Sequence, residues 1–161
     1  GVTLTEEGYE RTASLLTDTM QHEKIAETGN RFRYSASGKA GDFVDILCSP
    51  DSLRGLGGGG TVHHLAFSTN DDDTQLEIRS KIADLGLNVT PVLDRQYFHS
   101  IYFREPGGVL FEVATNPPGF MIDEPKEKLG EALKLPEWEE PNRASIEQGL
   151  TPVEVNVEQF K

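Results

Sequence analysis

The fold is decided by residues 61–68, which read TVHHLAFS, because a matching pattern stands at the start of the chain. Residues 2–5, VTLT, repeat the alternation of apolar and small side chains found in residues 65–68, LAFS. In both places an acidic stretch follows, and after it come a helical pattern and further strand patterns. The chain therefore contains an internal repeat of roughly 65 residues.

Each repeat predicts a strand, a helix and further strands, in that order. Apolar residues recur at helical spacing, in the first repeat at Tyr9, Ala13, Leu16 and Met20 and in the second at Ile78, Ile82 and Leu85. Strand patterns follow at residues 31–34 and 43–47, and again at 97–104 and 109–114. We predict an α+β fold in which two tandem βαβββ modules form a curved, open, barrel-like mixed sheet with the helices outside.

The expected boundaries follow from the repeat and from changes in composition. Module one covers residues 1–53 and module two residues 61–116, with a glycine-rich linker at 54–60. The linker lacks the Gly-Lys-Ser/Thr ending and the following helix of a phosphate-binding loop, so it is interpreted as a connector. Residues 117–161 form an acidic tail in which a helix is predicted at 124–133; a lid, a strap and a subunit contact remain open as its role.

Composition excludes several classes of protein. The formal net charge of −12 argues against nucleic acid and anionic membranes as partners, because both call for basic patches. The single cysteine, Cys48, fits a reducing compartment, and no apolar run approaches the ~18 residues of a membrane span. A cytoplasmic protein is expected. The opening sequence GVTLT reads as the middle of a strand without an initiating methionine, which predicts a trimmed or proteolysed chain.

Strand alternation selects the residues that face a candidate site. His63 and His64 cannot both point the same way, and His64 shares its face with the small side chains of Ala66 and Ser68. His63 is therefore expected to pack beneath the helix. Glu112 lies in an otherwise apolar strand, where a carboxylate is costly unless it is paired or bound to a metal. His64 and Glu112 would supply two thirds of a two-histidine, one-carboxylate site, which suits Fe(II).

The remaining histidines, the cysteine and the first module have plainer interpretations. Tyr102 alternates into the pocket, whereas His99 faces away from it; His22 and His99 are expected at the surface, and Cys48 as a small core or edge residue. Asp45 is the repeat equivalent of Glu112, but Gly1 stands where His64 would be, so module one is interpreted as scaffold.

The chain resembles the vicinal oxygen chelate superfamily, which includes glyoxalases, bleomycin-resistance proteins and extradiol dioxygenases. Within it, the chain is most similar to the hydroquinone-type ring-cleaving dioxygenases of bacteria. The resemblance covers nearly the whole chain and is carried mainly by residues 60–67, 86–91, 100–108 and 111–120.

This resemblance implies a chemistry and a set of residues. It implies that His64 and Glu112 bind Fe(II), or less often Mn(II), and that a small aromatic diol reacts there with O2. It also implies supporting roles for His63, Arg95 and Tyr102. Arg95 would stabilise anionic charge on substrate or oxygen, and Tyr102 would hydrogen-bond the substrate or pass a proton. Similar proteins carry four modules, with the third ligand, a histidine, in the first; this chain holds the last two.

Three readings of the chain remain open. It is the C-terminal half of a complete dioxygenase, or its missing histidine comes from a partner chain or a second copy, or it is a metal-free ligand-binding module. The first is favoured. A further alternative is a glyoxalase-like isomerase or lyase, whose metal site would use four protein ligands, two of them carboxylates, without a need for oxygen.

Overall fold

The computed structural model describes residues 1–53 and 55–152 and divides the chain into two compact units, Gly1–Gly119 and Phe120–Lys161. The regular elements of the first unit are β1 (Val2–Glu6), α1 (Glu10–Ser14), β2 (Glu23–Thr28), β3 (Arg31–Ser35), β4 (Phe43–Cys48), β5 (Leu65–Thr69), α2 (Asp72–Asp84), β6 (Leu93–Asp94), β7 (Phe98–Arg104) and β8 (Leu110–Pro118). A π-helical turn at Leu15–Thr19 continues α1.

The strands of the first unit form two four-stranded sheets with the same topology. The strand orders are β1-β4-β3-β2 and β5-β8-β7-β6. In each sheet, the module's first and last strands along the chain are neighbours and pair in parallel: β1 with β4, and β5 with β8. The other neighbouring strands pair antiparallel. This confirms the α+β class and the two βαβββ modules. The predicted single curved sheet is divided into two sheets, and the described strands close no barrel.

The two sheets also share one register. Thr3 lies opposite Asp45 in the first sheet, and Ala66 lies opposite Glu112 in the second. Arg33 and Tyr102 occupy the matching positions on the third strand of each module. The repeat inferred from sequence is thus a repeat of strand pairing. It places Asp45 and Glu112 at equivalent points.

One apolar core joins the two modules. Leu16 and Ile46 of module one and Ile82, Ile101 and Phe111 of module two are fully buried in the same cluster. Burial of each such side chain stabilises the fold by about 1.5–3 kcal/mol. The core takes the inner face of each sheet, and strand alternation therefore leaves Asp45 and Glu112 on the faces opposite the core.

Helix α2 begins at a capped residue and packs as the sequence predicts, with one exception. The Asp71 side chain accepts a hydrogen bond from the backbone N–H of Thr74, at 2.8 Å, as an N-cap does. Ile82 is buried and Ile78 packs against the core. Leu85, predicted on the same stripe, is exposed because it lies after the last helical residue.

The second unit differs from the predicted tail. The helix expected at 124–133 is wrong: this region has only a 3₁₀ turn at Lys126–Lys128, because Leu129 leaves the helical conformation, with a ψ of 122°, and Gly130 takes a φ of +82°. Further 3₁₀ turns lie at Phe120–Ile122 and Glu137–Asn142, and α3 spans Arg143–Gly149. The last part of the predicted tail, residues 153–161, lies outside the described residues. Among the described residues, no helix is long and apolar enough to cross a membrane.

A buried cluster of polar side chains connects the modules. The Thr12 hydroxyl of α1 lies 2.7 Å from Glu6 Oε2 and 2.5 Å from Glu105 Oε2. The Glu105 carboxylate also accepts the backbone N–H groups of Gly107 and Val109, both at 2.7 Å. One hydroxyl proton cannot serve two ionised carboxylates, so a second proton belongs to this cluster. Burial, opposed by the Thr12 bond and assisted by Glu105, raises the pKa of Glu6 to about 7.

Replacing Glu6 with glutamine should make the protein more stable at alkaline pH. The raised pKa means that the folded state holds the proton more tightly than the unfolded state. The stabilisation is complete below a pH of about 4.5 and is lost as the pH rises through about 7. Glu6→Gln should therefore raise the free energy of unfolding by about 1–2 kcal/mol at pH 8, and by much less at pH 5.

The measurement is chemical denaturation across this pH range. Glu7→Gln, at the exposed neighbouring glutamate, is the control and should show no such pH dependence. Equal effects of Glu6→Gln at pH 5 and pH 8 would contradict the assignment of the proton.

Candidate metal-binding and catalytic site

The candidate site lies on the face of the second sheet that is opposite the core. Phe111 and Val113 point into the core, so Glu112 between them, the third residue of β8, points to the other face. His64 immediately precedes β5, which runs beside β8. Its Nε2 lies 2.7 Å from Glu112 Oε2, and its side chain is 35% exposed. The two residues chosen from the sequence are therefore in direct contact.

The second oxygen of Glu112 has its own partners. The Tyr102 hydroxyl donates to Glu112 Oε1 at 2.8 Å, and the Ser100 hydroxyl donates to the same oxygen. Both donors lie on β7, where Tyr102 is paired directly with Glu112. The glutamate side chain is only 4% exposed. These contacts offset the cost of burying its charge.

His63 lies beside His64 and not beneath the helix. The two Nδ1 atoms are 2.9 Å apart, with the rings at 90°. The prediction that His63 packs inward is wrong, because β5 begins at Leu65 and strand alternation does not reach residue 63. When His64 is neutral and donates from Nε2 to Glu112, its Nδ1 accepts from His63. The pair thus defines which nitrogen of His64 faces the carboxylate.

Arg95 reaches the site from the turn between β6 and β7. Its guanidinium carbon lies 5.3 Å from the centre of the Tyr102 ring, within the range of a cation–π contact. The turn is held by a hydrogen bond from the Arg95 N–H to the Phe98 carbonyl, at 2.9 Å. A positive charge therefore stands at the exposed edge of the site, next to the tyrosine that holds Glu112.

The structure brings all five predicted residues into one chain of contacts: His63, His64, Arg95, Tyr102 and Glu112. Sequence reasoning missed Ser100 as a member of the site. Strand alternation puts Ser100 on the same face as Tyr102, and its small polar side chain opposite a strand with an isolated glutamate is the signal that could have identified it. The two remaining histidines lie elsewhere. His99 contacts Asp72 at 2.7 Å and faces away as predicted, whereas His22 is buried against Phe67 and not at the surface.

Helix α2 supports the strands of the site through one buried side chain. The amide nitrogen of Gln75 donates to the carbonyls of His99 and Val113, both at 2.8 Å. These two residues are the immediate neighbours of Ser100 and Glu112. The pairing of β7 with β8 is irregular here, with only His99 between the Phe98–Pro118 and Ser100–Ala114 pairs. Gln75 thus takes the place of a regular ladder partner.

The equivalent point of the first sheet has a different chemistry. Asp45 is bound by Arg33 through both of its oxygens, at 2.7 and 2.9 Å, and by Arg31 at 2.8 Å. The guanidinium of Arg33, followed by that of Arg31, lowers the pKa of Asp45 to about 2. Gly1 stands where His64 would be, as the sequence indicated. Within residues 1–53 and 55–152, no group of three or more histidine, cysteine or acidic side chains could hold a metal ion.

The family model for the Glyoxalase/Bleomycin resistance protein/Dioxygenase superfamily matches residues 2–113. The chain belongs to this superfamily. It is 49% identical over 155 residues to the protein of Bacillus subtilis (strain 168) named "Putative ring-cleaving dioxygenase MhqO", an alignment that covers 96% of this chain and 49% of that one. It is 41% identical over 113 residues to the chlorohydroquinone/hydroquinone 1,2-dioxygenase of Sphingobium indicum, with 66% and 34% covered.

The structural comparison agrees with this membership of the superfamily. A crystal structure described as a putative dioxygenase from Bacillus subtilis superposes with a TM-score of 0.91 at 49% identity, over 97% of this chain and 50% of that one. The chain spans about half the length of these Bacillus subtilis relatives.

Removal of the Gln75 amide should destabilise the strands that carry the site. Gln75→Leu keeps much of the side-chain volume but leaves the His99 and Val113 carbonyls without their donor. Each buried unsatisfied carbonyl costs about 1–3 kcal/mol, so a combined loss of about 2–4 kcal/mol is expected in the free energy of unfolding. Urea denaturation measures it. Glu77→Gln, at an exposed position of the same helix, is the control and should change stability by less than about 0.5 kcal/mol.

Proposed function

We propose that the chain is the C-terminal part of an Fe(II)-dependent, extradiol-type dioxygenase that opens the ring of a hydroquinone or catechol with O2. The contact between His64 and Glu112 is the observation that carries the proposal. An imidazole and a carboxylate stand side by side on an open sheet face, with a tyrosine and an arginine next to them. The kinship with ring-cleaving dioxygenases supports the reaction class.

The donor atoms of His64 and Glu112 fit a metal ion. Two adjacent ligands, each about 2.1 Å from a metal, are about 3 Å apart when they subtend a right angle. The His64 Nε2 and Glu112 Oε2 atoms, at 2.7 Å, are close to that spacing. Nitrogen and carboxylate ligands suit Fe(II), with Mn(II) as the alternative, and the bound ion would present the diol and O2 to each other. The third protein ligand is a histidine from the N-terminal half of the parent protein or from a second copy.

The neighbouring side chains have distinct tasks in this proposal. Tyr102 holds Glu112 in place by donating its one hydroxyl proton, and its hydroxyl oxygen can still accept a hydrogen bond from a hydroxyl of the aromatic diol. Arg95 supplies positive charge at the open edge, where it would stabilise negative charge on the aromatic diol or on oxygen. His63 fixes His64 through the Nδ1 contact and can accept or release a proton there. The enzyme would work in the cytoplasm, consistent with its single cysteine.

Loss of either metal ligand should abolish ring cleavage. Fe(II) is added without air to the full-length protein and to the 161-residue chain, followed by hydroquinone and then air. Oxygen uptake with a ring-opened product is expected from the full-length protein and little from the chain alone. His64→Ala and Glu112→Ala should lower kcat/KM by more than about 100-fold, because each removes a ligand. Arg95→Ala should lower it by about 100-fold or more.

Matched controls and alternative outcomes make this experiment decisive. His99→Asn, at a histidine that faces away from the site, should retain activity. Turnover without oxygen would overturn the dioxygenase and support a glyoxalase-like isomerase or lyase. Binding of aromatic diols without metal uptake would instead support a metal-free binding module.

A further inference from the structure

Ser100 is a buried polar side chain to which neither the sequence nor the proposed reaction gives a role. It lies on β7 with none of its surface exposed, and its hydroxyl donates to Glu112 Oε1. The Tyr102 hydroxyl donates to the same oxygen at 2.8 Å. A carboxylate oxygen has two lone pairs, so these two donors saturate Oε1. Oε2 is left to face His64 Nε2, at 2.7 Å.

The first sheet shows what happens when the donors are different. Arg31 occupies the register position of Ser100, and Arg33 that of Tyr102. Both also donate to the central carboxylate, here Asp45, but their guanidinium groups take both of its oxygens. The strand position is therefore the same in the two sheets. The side chains at these two positions decide whether one oxygen of the central carboxylate stays available.

His99, the residue before Ser100, is held through both its backbone N–H and its backbone carbonyl. The His99 N–H donates to the Thr115 hydroxyl at 3.0 Å, and the His99 carbonyl accepts from Gln75 at 2.8 Å. Ser100 itself is paired with Ala114, two residues from Glu112. The hydroxyl of Ser100 is thus directed at Glu112 by fixed backbone, and a fully buried side chain has no room to turn elsewhere.

We propose that Ser100 is a positioning residue which, with Tyr102, holds Glu112 Oε1 so that Oε2 alone is presented beside His64. The consequence is that Glu112 would bind a metal ion through Oε2 alone, because Oε1 is occupied by its two donors. The statement about the metal rests on the proposed function. The hydrogen bond that directs Glu112 does not require a metal.

The metal-free test is a double-mutant cycle in the 161-residue chain. Ser100→Ala should lower Tm by about 4 °C, because a buried hydrogen bond to a charged group is lost. In the Glu112→Ala background the same change should have almost no effect. Ser68→Ala is the matched control: Ser68 lies on β5, also opposite Ala114, but is exposed. It should show no coupling to Glu112→Ala. An equal loss from Ser100→Ala in both backgrounds would overturn the proposal.

The metal-loaded test uses the full-length protein with Co(II), whose visible absorption reports the number of ligands. Without Ser100, Glu112 can turn both oxygens to the metal, so Ser100→Ala should weaken and shift the Co(II) bands and lower kcat about 10-fold with a smaller change in KM. Ser68→Ala should leave the spectrum unchanged. An unchanged spectrum in Ser100→Ala would overturn the positioning role, even with intact coupling. Failure of the unaltered protein to bind metal would overturn the proposed function, and the thermal cycle would then decide the Ser100 contact alone.

Discussion

The burial of the Glu112 carboxylate is the constraint on which the outer face of the second sheet depends. A charge removed from water must be compensated by nearby donors, and the fold supplies them from two strands that flank β8. His64 comes from the β5 side, while Ser100 and Tyr102 come from β7. Parallel pairing on one side and antiparallel pairing on the other bring these side chains to one point. The strand order of the βαβββ module is therefore what makes a buried carboxylate tolerable at this position.

The support for this carboxylate extends through the sheet to the helix behind it. Gln75 is fully buried and uses its amide to satisfy the two carbonyls adjacent to Ser100 and Glu112. The outward-facing chemistry and the inward-facing core are thus joined by one side chain. A change in the packing of α2 would displace the residues of the site even though α2 touches no ligand, because the interior is close-packed and transmits displacements.

The sequence alone predicted the modules and the direction of the side chains correctly where strand alternation was regular. The repeat predicted the two modules, and alternation placed His64, Tyr102 and Glu112 on a common face, which the structure shows. It failed for His63. Both histidines precede β5, which begins at Leu65, so alternation does not fix either side chain; His64 takes the predicted face through its contact with Glu112, and His63 lies beside it. It failed for His22, which sits in an apolar environment against Phe67 with its Nδ1 bonded to the Met20 carbonyl.

Other features depend on contacts between segments far apart in sequence. The polar cluster of Glu6, Thr12 and Glu105 joins residues up to 99 positions apart, and no local sequence pattern predicts it. In the tail, a local pattern predicted a structure that does not form. The composition of residues 124–133 favours a helix, but the backbone at Leu129 and Gly130 is not helical.

The binding of Asp45 by Arg31 and Arg33 limits how substitutions could make the first sheet resemble the second. To give the first sheet the donors of the second, Arg31 and Arg33 would both have to be replaced, since either guanidinium alone still neutralises Asp45. Position 1 would also need an imidazole, yet a Cβ there would lie 2.7 Å from the Phe43 carbonyl oxygen. A single substitution at position 1, 31 or 33 therefore cannot give the first sheet the donors of the second, because all three positions have to change together.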